Sequence, residues 1–430
     1  MTDLSPLEEI EHMVQERARE LSLDTDREPD ALRSLVVDTV NQWSVDFKRG
    51  VRSFDLSDPE AVAERAVRNL TGYGPLAPLL ADDDVWEVMI NGPAEIFVKR
   101  HRGPSGYHHE VFHDDAHVMR TLTKVLADAS TAHRKLDPTE GLQDAQLDDG
   151  SRLHIVHGDI GFGGHVMVNI RRFTNVAFHD LAQLVDREML TPDAAKLLAA
   201  CVRARTSIVF AGAPGSGKTT MLSCCCSELD PSLRVVVAEE VFEADIPVAN
   251  VAKMQTRPAR ADRPAIDLRR LVAGFLRMAP DIAIVGEVRD REALPLLLTL
   301  SSGVKGYTTI HSGSARQALT RLRFICQLAD NDLPMSALNT LVSEAVDVVV
   351  HCARTSDGPR VMEILAVEDL AGGSEATQFT VTPIFTRAHP SDPLLWSGQV
   401  PSRLASLFNQ SGADLQTLID SWSSPAVALR

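Results

Sequence analysis

Gly212-Ala213-Pro214-Gly215-Ser216-Gly217-Lys218-Thr219, followed by Thr220, is the stretch that decides the fold. It meets the G-x-x-x-x-G-K-[ST] spacing in full. An apolar, strand-like run (207–211) precedes it and a helical run follows from Lys218. The glycines let the backbone wrap closely, so that its N–H groups point inward at phosphate oxygens. The helix N-terminus adds positive potential. Lys218 brings a mobile charge for the β- and γ-phosphates, and the Thr219 hydroxyl is placed for Mg2+. Taken alone, the motif says nucleotide.

Working outward, strand-like and helix-like runs alternate from residue 191 on, which predicts a doubly wound, parallel α/β sheet. The expected strands are 207–211, 234–238, 282–285 and 307–310. The expected helices are 194–203, 218–227, 268–277, 292–301 and 315–326. A helix beyond Pro334 and strand-like runs at 346–352, 361–367 and 379–385 complete this piece. In such a sheet the strand C-termini share one edge with the glycine loop. The apolar run from Asp281 ends in Gly286-Glu287, where Asp-Glu is the commoner pattern; Glu287 can hold the Mg2+ shell or position water. Glu239-Glu240-Val241-Phe242-Glu243 gathers three carboxylates that repel one another unless a cation or basic group compensates. A solvated acidic loop is the plain alternative. Tyr307-Thr308-Thr309-Ile310-His311 ends a further strand in a histidine, able to sense a phosphate or to serve the structure alone. Arg152 and Arg171 lie before the loop, while Arg257, Arg277 and Arg289 flank the acidic elements. Phosphoryl transfer draws on positive charge delivered by such arginines, often from another domain or subunit. For any one of them a surface salt bridge is the alternative.

The chain of 430 residues has room for two or three domains. Acidic residues outnumber basic ones, 59 to 43, for a net charge of −16, which argues against nucleic acid as a general partner. Apolar runs such as 293–300 and 345–350 fall well short of the ~20 residues that span a bilayer. The acidic start, 1–11, lacks the apolar core of a signal peptide, so a cytoplasmic location is expected. Six cysteines form no disulfide framework and imply no disulfide partners. Cys224, Cys225 and Cys226 are consecutive, fan around a helix, and read as small apolar residues. Four segments are expected: a helical bundle (1–71), an α+β domain (72–180), the nucleotide domain (181–371) and an extension (372–430) rich in Ser, Gly and Pro. The bundle has helices over 6–21 and 28–47 and a third starting at Ser57-Asp58-Pro59-Glu60, with Ser57 as cap. The α+β domain has strands at 85–90, 95–99, 107–112, 142–147, 152–157 and 165–172, a helix at 115–129 and a hairpin turn at Asp149-Gly150. Residues 175–186 read as a link.

The order of these motifs, over roughly 72–360, resembles the type II/type IV secretion ATPase superfamily, and within it most closely the tight-adherence (Flp-type) pilus assembly ATPases of the TadA/CpaF group. The glycine loop looks like Walker A. Glu239 to Glu243, then Thr256-Arg257-Pro258, resembles the Asp box, with Glu240 where Asp is usual. Asp281 to Glu287, then Val288-Arg289, looks like the atypical Walker B. Gly306 to His311 is similar to the His box, with Val304 where many relatives have His. Tyr73-Gly74-Pro75, Met89-Ile90-Asn91-Gly92-Pro93, Leu147-Asp148-Asp149-Gly150-Ser151-Arg152 and Asn169-Ile170-Arg171-Arg172-Phe173 resemble the N-terminal domain. The resemblance implies a RecA-like P-loop NTPase domain preceded by a PAS-like α+β domain and a helical bundle. It implies a homo-hexamer that hydrolyses ATP with Mg2+, held at the inner face of the cell membrane by integral platform proteins. Its work would be assembly of Flp/Tad-type (type IV-like) pili or type II-like secretion. Gly212, Ala213, Pro214, Gly215, Ser216, Gly217, Lys218, Thr219 and Thr220 would bind the nucleotide, and Thr219, Glu287 and Glu240 the metal. Glu287, Glu239, Glu243, Arg152, Arg171, His311 and Arg289 would be catalytic. The alternatives are a conjugative or type IV secretion (VirB11-like) export motor, a nucleic-acid translocase using Arg257, Arg260, Arg263, Arg269 and Arg270, and a nucleotide-gated scaffold.

Overall fold

The computed structural model describes residues 5–23, 28–100, 103–129, 136–137, 139, 141–172, 178–257, 264–329, 333–370 and 378–422. The chain divides into two compact units, Met1–Val176 and Ala177–Arg430.

In the first unit, α1 (Pro6–Glu20), α2 (Pro29–Lys48) and α3 (Pro59–Thr71) bury Ile10, Val14, Leu32, Val36, Trp43 and Ala66 against one another. The helix start near residue 57 is corrected by one position. Asp58, not Ser57, is the cap, and its carboxylate accepts the Ala61 N–H at 3.0 Å. Pro59 takes the first helical position, so the residue just before it must be the cap. The chain continues through α4 (Leu76–Ala81), β1 (Val85–Gly92), β2 (Glu95–Arg100), β3 (Gly106–Tyr107), α5 (Asp115–Asp128), β4 (Leu142–Gln146), β5 (Arg152–Val156) and β6 (Met167–Arg171). These strands form an antiparallel sheet of order β3-β2-β1-β6-β5-β4. Alternation places Val88, Ile90, Leu153, Ile155, Val168 and Ile170 in one core with Val118, Leu122 and Val125 of α5. It places Glu87, Arg152 and Arg171 on the other face. The expected strand at 107–112 shrinks to Gly106–Tyr107, because Phe112 is buried in the core of this unit with its N–H on the Pro93 carbonyl rather than in a strand ladder. Phe173 and, of the expected link, residues 175–177 lie outside the described residues, and the remainder of the link contains a helix.

That helix, α6 (Leu181–Asp186), opens the second unit. It is followed by α7 (Pro192–Arg203), β7 (Ile208–Gly212), α8 (Lys218–Cys226), β8 (Val235–Glu239), β9 (Val251–Gln255), α9 (Leu268–Val272), β10 (Ile282–Val288), α10 (Ala293–Ser301) and β11 (Lys305–Ile310). Then come α11 (Ala315–Ala329), α12 (Met335–Ala345), β12 (Val348–Thr355), β13 (Gly358–Val367), β14 (Val381–Thr386), β15 (Leu395–Trp396), α13 (Ser402–Gln410) and α14 (Leu415–Asp420). The sheet order is β15-β14-β13-β12-β7-β11-β10-β8-β9. The run from β12 to β9 is parallel, and β13, β14 and β15 are antiparallel. This is an α/β, RecA-like nucleotide-domain architecture with added antiparallel strands. Every residue of β7 and β8 is buried, as parallel strands covered on both faces require. β7 lies between β11 and β12 while β8, next in sequence, is separated from it by two strands, β11 and β10; the crevice outside the strand C-termini opens at that switch.

The expected helix 268–277 is broken: α9 stops at Val272 and a 3-10 turn, Phe275–Met278, follows. Gly274 sits at the break, where a helix former is missing. The described C-terminal residues, least informative in sequence, add to the same core. Leu404, Phe408, Leu415 and Ile419 pack with Ile364 and Phe385. Arg403 pairs with buried Asp347 at 2.7 Å, and Glu368 accepts the N–H groups of Ser402 and Arg403 at 3.0 Å each. Among the described residues, no helix is long and apolar enough to cross a membrane.

Candidate functional site

The glycine loop leaves fully buried β7 and enters α8 at Gly217, whose φ of 85° is left-handed and whose position is crowded. A Cβ there would lie 3.0 Å from Met189 and 3.2 Å from Pro359, so only glycine fits without a shift. Lys218 is nearly buried. Its Nζ donates to the Ala213 carbonyl at 3.0 Å and lies 3.2 Å from Nδ1 of His311. Nδ1 is also 3.2 Å from the Gly212 carbonyl, and Nε2 is 2.9 Å from Oε1 of Glu287. Lysine at the start of α8, the histidine just after β11 and the glutamate near the end of β10 thus meet at the loop. Burial works to raise the Glu287 carboxyl, but His311, Lys218 and Arg289 outweigh it and hold the group below the usual range.

The structure places the acidic cluster unevenly. Glu239 is buried at the tip of β8, and its Oε1 accepts the N–H groups of Glu243 and Ala244 at 3.0 and 2.9 Å. Its Oε2 is buried with no hydrogen-bond partner. Burial pushes this carboxyl above its ordinary value. A Cβ on Gly286 would lie 2.9 Å from Cγ of Glu239. Hence the position that commonly carries an aspartate is a glycine because the neighbouring strand's glutamate fills the space. Glu240 is half-exposed and paired with Arg289. Glu243 is half-buried and contributes its backbone N–H to Glu239. Thr219 and Thr220 are half-buried in the first turn of α8, and Ser216 is fully buried in the loop. Ala213 and Pro214 are exposed at its lip.

Hydroxyl and carboxylate oxygens of Thr219, Glu287 and Glu239 are the donor types Mg2+ takes, alongside nucleotide phosphates. The orphaned buried Oε2 of Glu239 fits a nearby cation, which would compensate a charge the protein leaves unmatched.

Arg152 and Arg171 lie in the first unit as directly opposed residues of β5 and β6, with Glu87 of β1 beyond Arg171. Like charges directly opposite repel, and an anion between them relieves this. Glu87 itself binds Lys99 at 2.6 Å and Asn169 at 3.2 Å. Arg257 bridges back to Ile266, with Nη2 on the Pro264 carbonyl at 3.2 Å, and Arg277 is exposed in the 3-10 turn. Arg260 and Arg263 lie outside the described residues.

Three residues at this site escaped sequence reading. Glu292 is buried and accepts the N–H groups of Arg289 and Asp290 at 2.6 and 2.8 Å, fixing the turn after Glu287. Its spacing after Arg289 was the available signal. Thr309 donates to the Gly286 carbonyl at 2.8 Å. Arg354 reaches the Gly215 carbonyl at 3.3 Å from 139 residues away, with no local signature.

The family described as Type II/IV secretion system protein matches residues 69–372. A protein of Mycobacterium tuberculosis (strain H37Rv) named for conjugal transfer is 31% identical over 328 residues, covering 74% of this chain and 91% of the relative. The conjugal transfer protein TrbB of Rhizobium radiobacter is 30% identical over 309 residues, covering 68% of this chain and 87% of the relative. The type IV secretion system protein PtlH of Bordetella pertussis is 29% identical over 304 residues, with coverage of 65% and 88%.

Proposed function

Because the chain belongs to the type II/IV secretion system protein family, we propose that it is an ATP hydrolase that powers such a machine. The observation that carries this reading is the meeting of Lys218, His311 and Glu287 at the mouth of the glycine loop. Lys218 leaves the Ala213 carbonyl and His311 for the β- and γ-phosphates, a stronger charge-assisted partner. The loop N–H groups of 215–219 cradle the same phosphates. Thr219 and Glu287 would hold Mg2+, whose chemistry when bound would be to offset charge on the transferred phosphoryl group. Glu287, kept ionised by its surroundings, orients the attacking water. Glu239 and Glu243 shape the acidic wall, and Glu240 would add a further carboxylate toward the metal, held in position by Arg289. Arg152 and Arg171 supply positive charge when subunits of a homo-hexamer close on the nucleotide.

The motor would work in the cytoplasm, docked at the inner face of the membrane on integral platform proteins. Two cargo readings stand side by side. The motif order favours assembly of Flp/Tad-type pili or type II-like secretion. The names of the relatives above, conjugal transfer and type IV secretion, favour an export motor equally.

The test is phosphate release from ATP by the full-length chain. Release is expected to require Mg2+, and Lys218→Ala is expected to reduce it by at least about a hundredfold. A Lys218→Ala protein as active as the unaltered chain removes the loop from the reaction.

A further inference from the structure

The triphosphate has two ends, and the site described above accounts for one. Lys218, His311 and Glu287 gather on the β11 and β10 side of β7, so the γ-phosphate end points there. The nucleoside end must emerge on the other flank of the loop, which β12 and β13 occupy. Their hairpin is built against the loop. Cys352 pairs in register with Gly212, and Pro359 closes on Gly217, leaving no room for a side chain there. Thr355 donates to the Gly358 carbonyl at 2.8 Å and accepts the Asp357 N–H at 3.2 Å, which fixes the tip. Buried Arg360 ties the hairpin to the turn before α7, bonding the Arg187 carbonyl at 2.9 Å and Glu188 at 3.2 Å. From this rigid support Arg354 donates to the Gly215 carbonyl at 3.3 Å.

We infer that Arg354 is a nucleoside-positioning residue, and that the β12–β13 hairpin is the wall against which the base and ribose of ATP lie. This rests on the reading of the loop as an ATP site. A guanidinium is flat, carries five N–H donors, and stacks on aromatic faces. It can therefore hold a loop carbonyl with one edge and cover a purine with its face. A phosphate-binding role would instead place the charge on the side of Lys218.

The experiment is calorimetric titration of the full-length chain, with Mg2+, using two probes: the ATP analogue AMP-PNP and inorganic tripolyphosphate. Arg354→Ala is expected to weaken AMP-PNP by about tenfold and tripolyphosphate by less than about twofold. Arg354→Lys keeps the charge without the flat fork. It is expected to weaken AMP-PNP by about threefold and to leave tripolyphosphate unchanged, which keeps the comparison available should the alanine variant fail to fold. Equal losses for both probes, or no loss for either, overturn the assignment. An unaltered chain that binds neither probe overturns the ATP reading itself.

Discussion

Glu239 is the residue with most at stake. Its pKa stands above its ordinary 4.5 because burial penalises the charge more than two backbone N–H groups favour it. A group with a raised folded pKa contributes stability at pH below the unfolded value, and that contribution is lost as pH rises through the folded one. Glutamine keeps the acceptor for Glu243 and Ala244 and does not titrate. Nucleotide-free Glu239→Gln is therefore expected to gain melting temperature over the unaltered chain as pH is raised from 5 to 8. A difference that shrinks over that range contradicts the buried charge. Gly286 is the complementary case. Adding a methyl group 2.9 Å from Glu239 Cγ is expected to cost about 1–3 kcal/mol in urea unfolding, and an unaffected Gly286→Ala shows that the wall is soft. Lys218, Glu287 and His311 were legible in sequence because each sits at the end of a recognisable run. The reason for Gly286 was not, since it depends on which strand lies beside β10.

At the scale of elements, the docking of α1 on the segment before α5 turns on one histidine. His113 lies 2.9 Å from Glu11 and 3.5 Å from Glu8, both on α1, and 3.5 Å from Asn69 of α3; His117 and Asp114 are its neighbours on the α5 side. Burial lowers the His113 pKa, but Glu11 and Glu8 more than reverse this and raise it. The ion pair therefore contributes fully below about pH 6.5 and fades as pH rises through the raised value. Glu11→Ala is expected to cost about 1–3 kcal/mol at pH 6, and less at pH 9, by urea unfolding. A cost that grows with pH contradicts the pairing. Periodicity made most elements readable, including both sheets' central strands. It failed at β9, a half-buried edge strand without alternation. It failed at the C-terminal helices too, where Gly, Ser and Pro between short runs hid the apolar residues that complete the core.

At the scale of the molecule, the two units each carry one part of the proposed chemistry: opposed arginines in the first, loop and carboxylates in the second. If Arg152 and Arg171 act when subunits close into a ring, specific turnover rises with protein concentration. Arg171→Ala is then expected to lower it by about a hundredfold or more while AMP-PNP binding persists. Constant specific activity down to high dilution contradicts the ring. A ring is implied only by the resemblance in motif order, because neither composition nor periodicity reports subunit number. The most direct measurement is a single-turnover assay of ATP cleavage with Mg2+, comparing the unaltered chain with Glu287→Gln. The expected result is ATP bound with similar affinity and cleaved about 10²–10⁴-fold more slowly. Cleavage at the unaltered rate contradicts the claim that the carboxylate at the tip of β10 prepares the water.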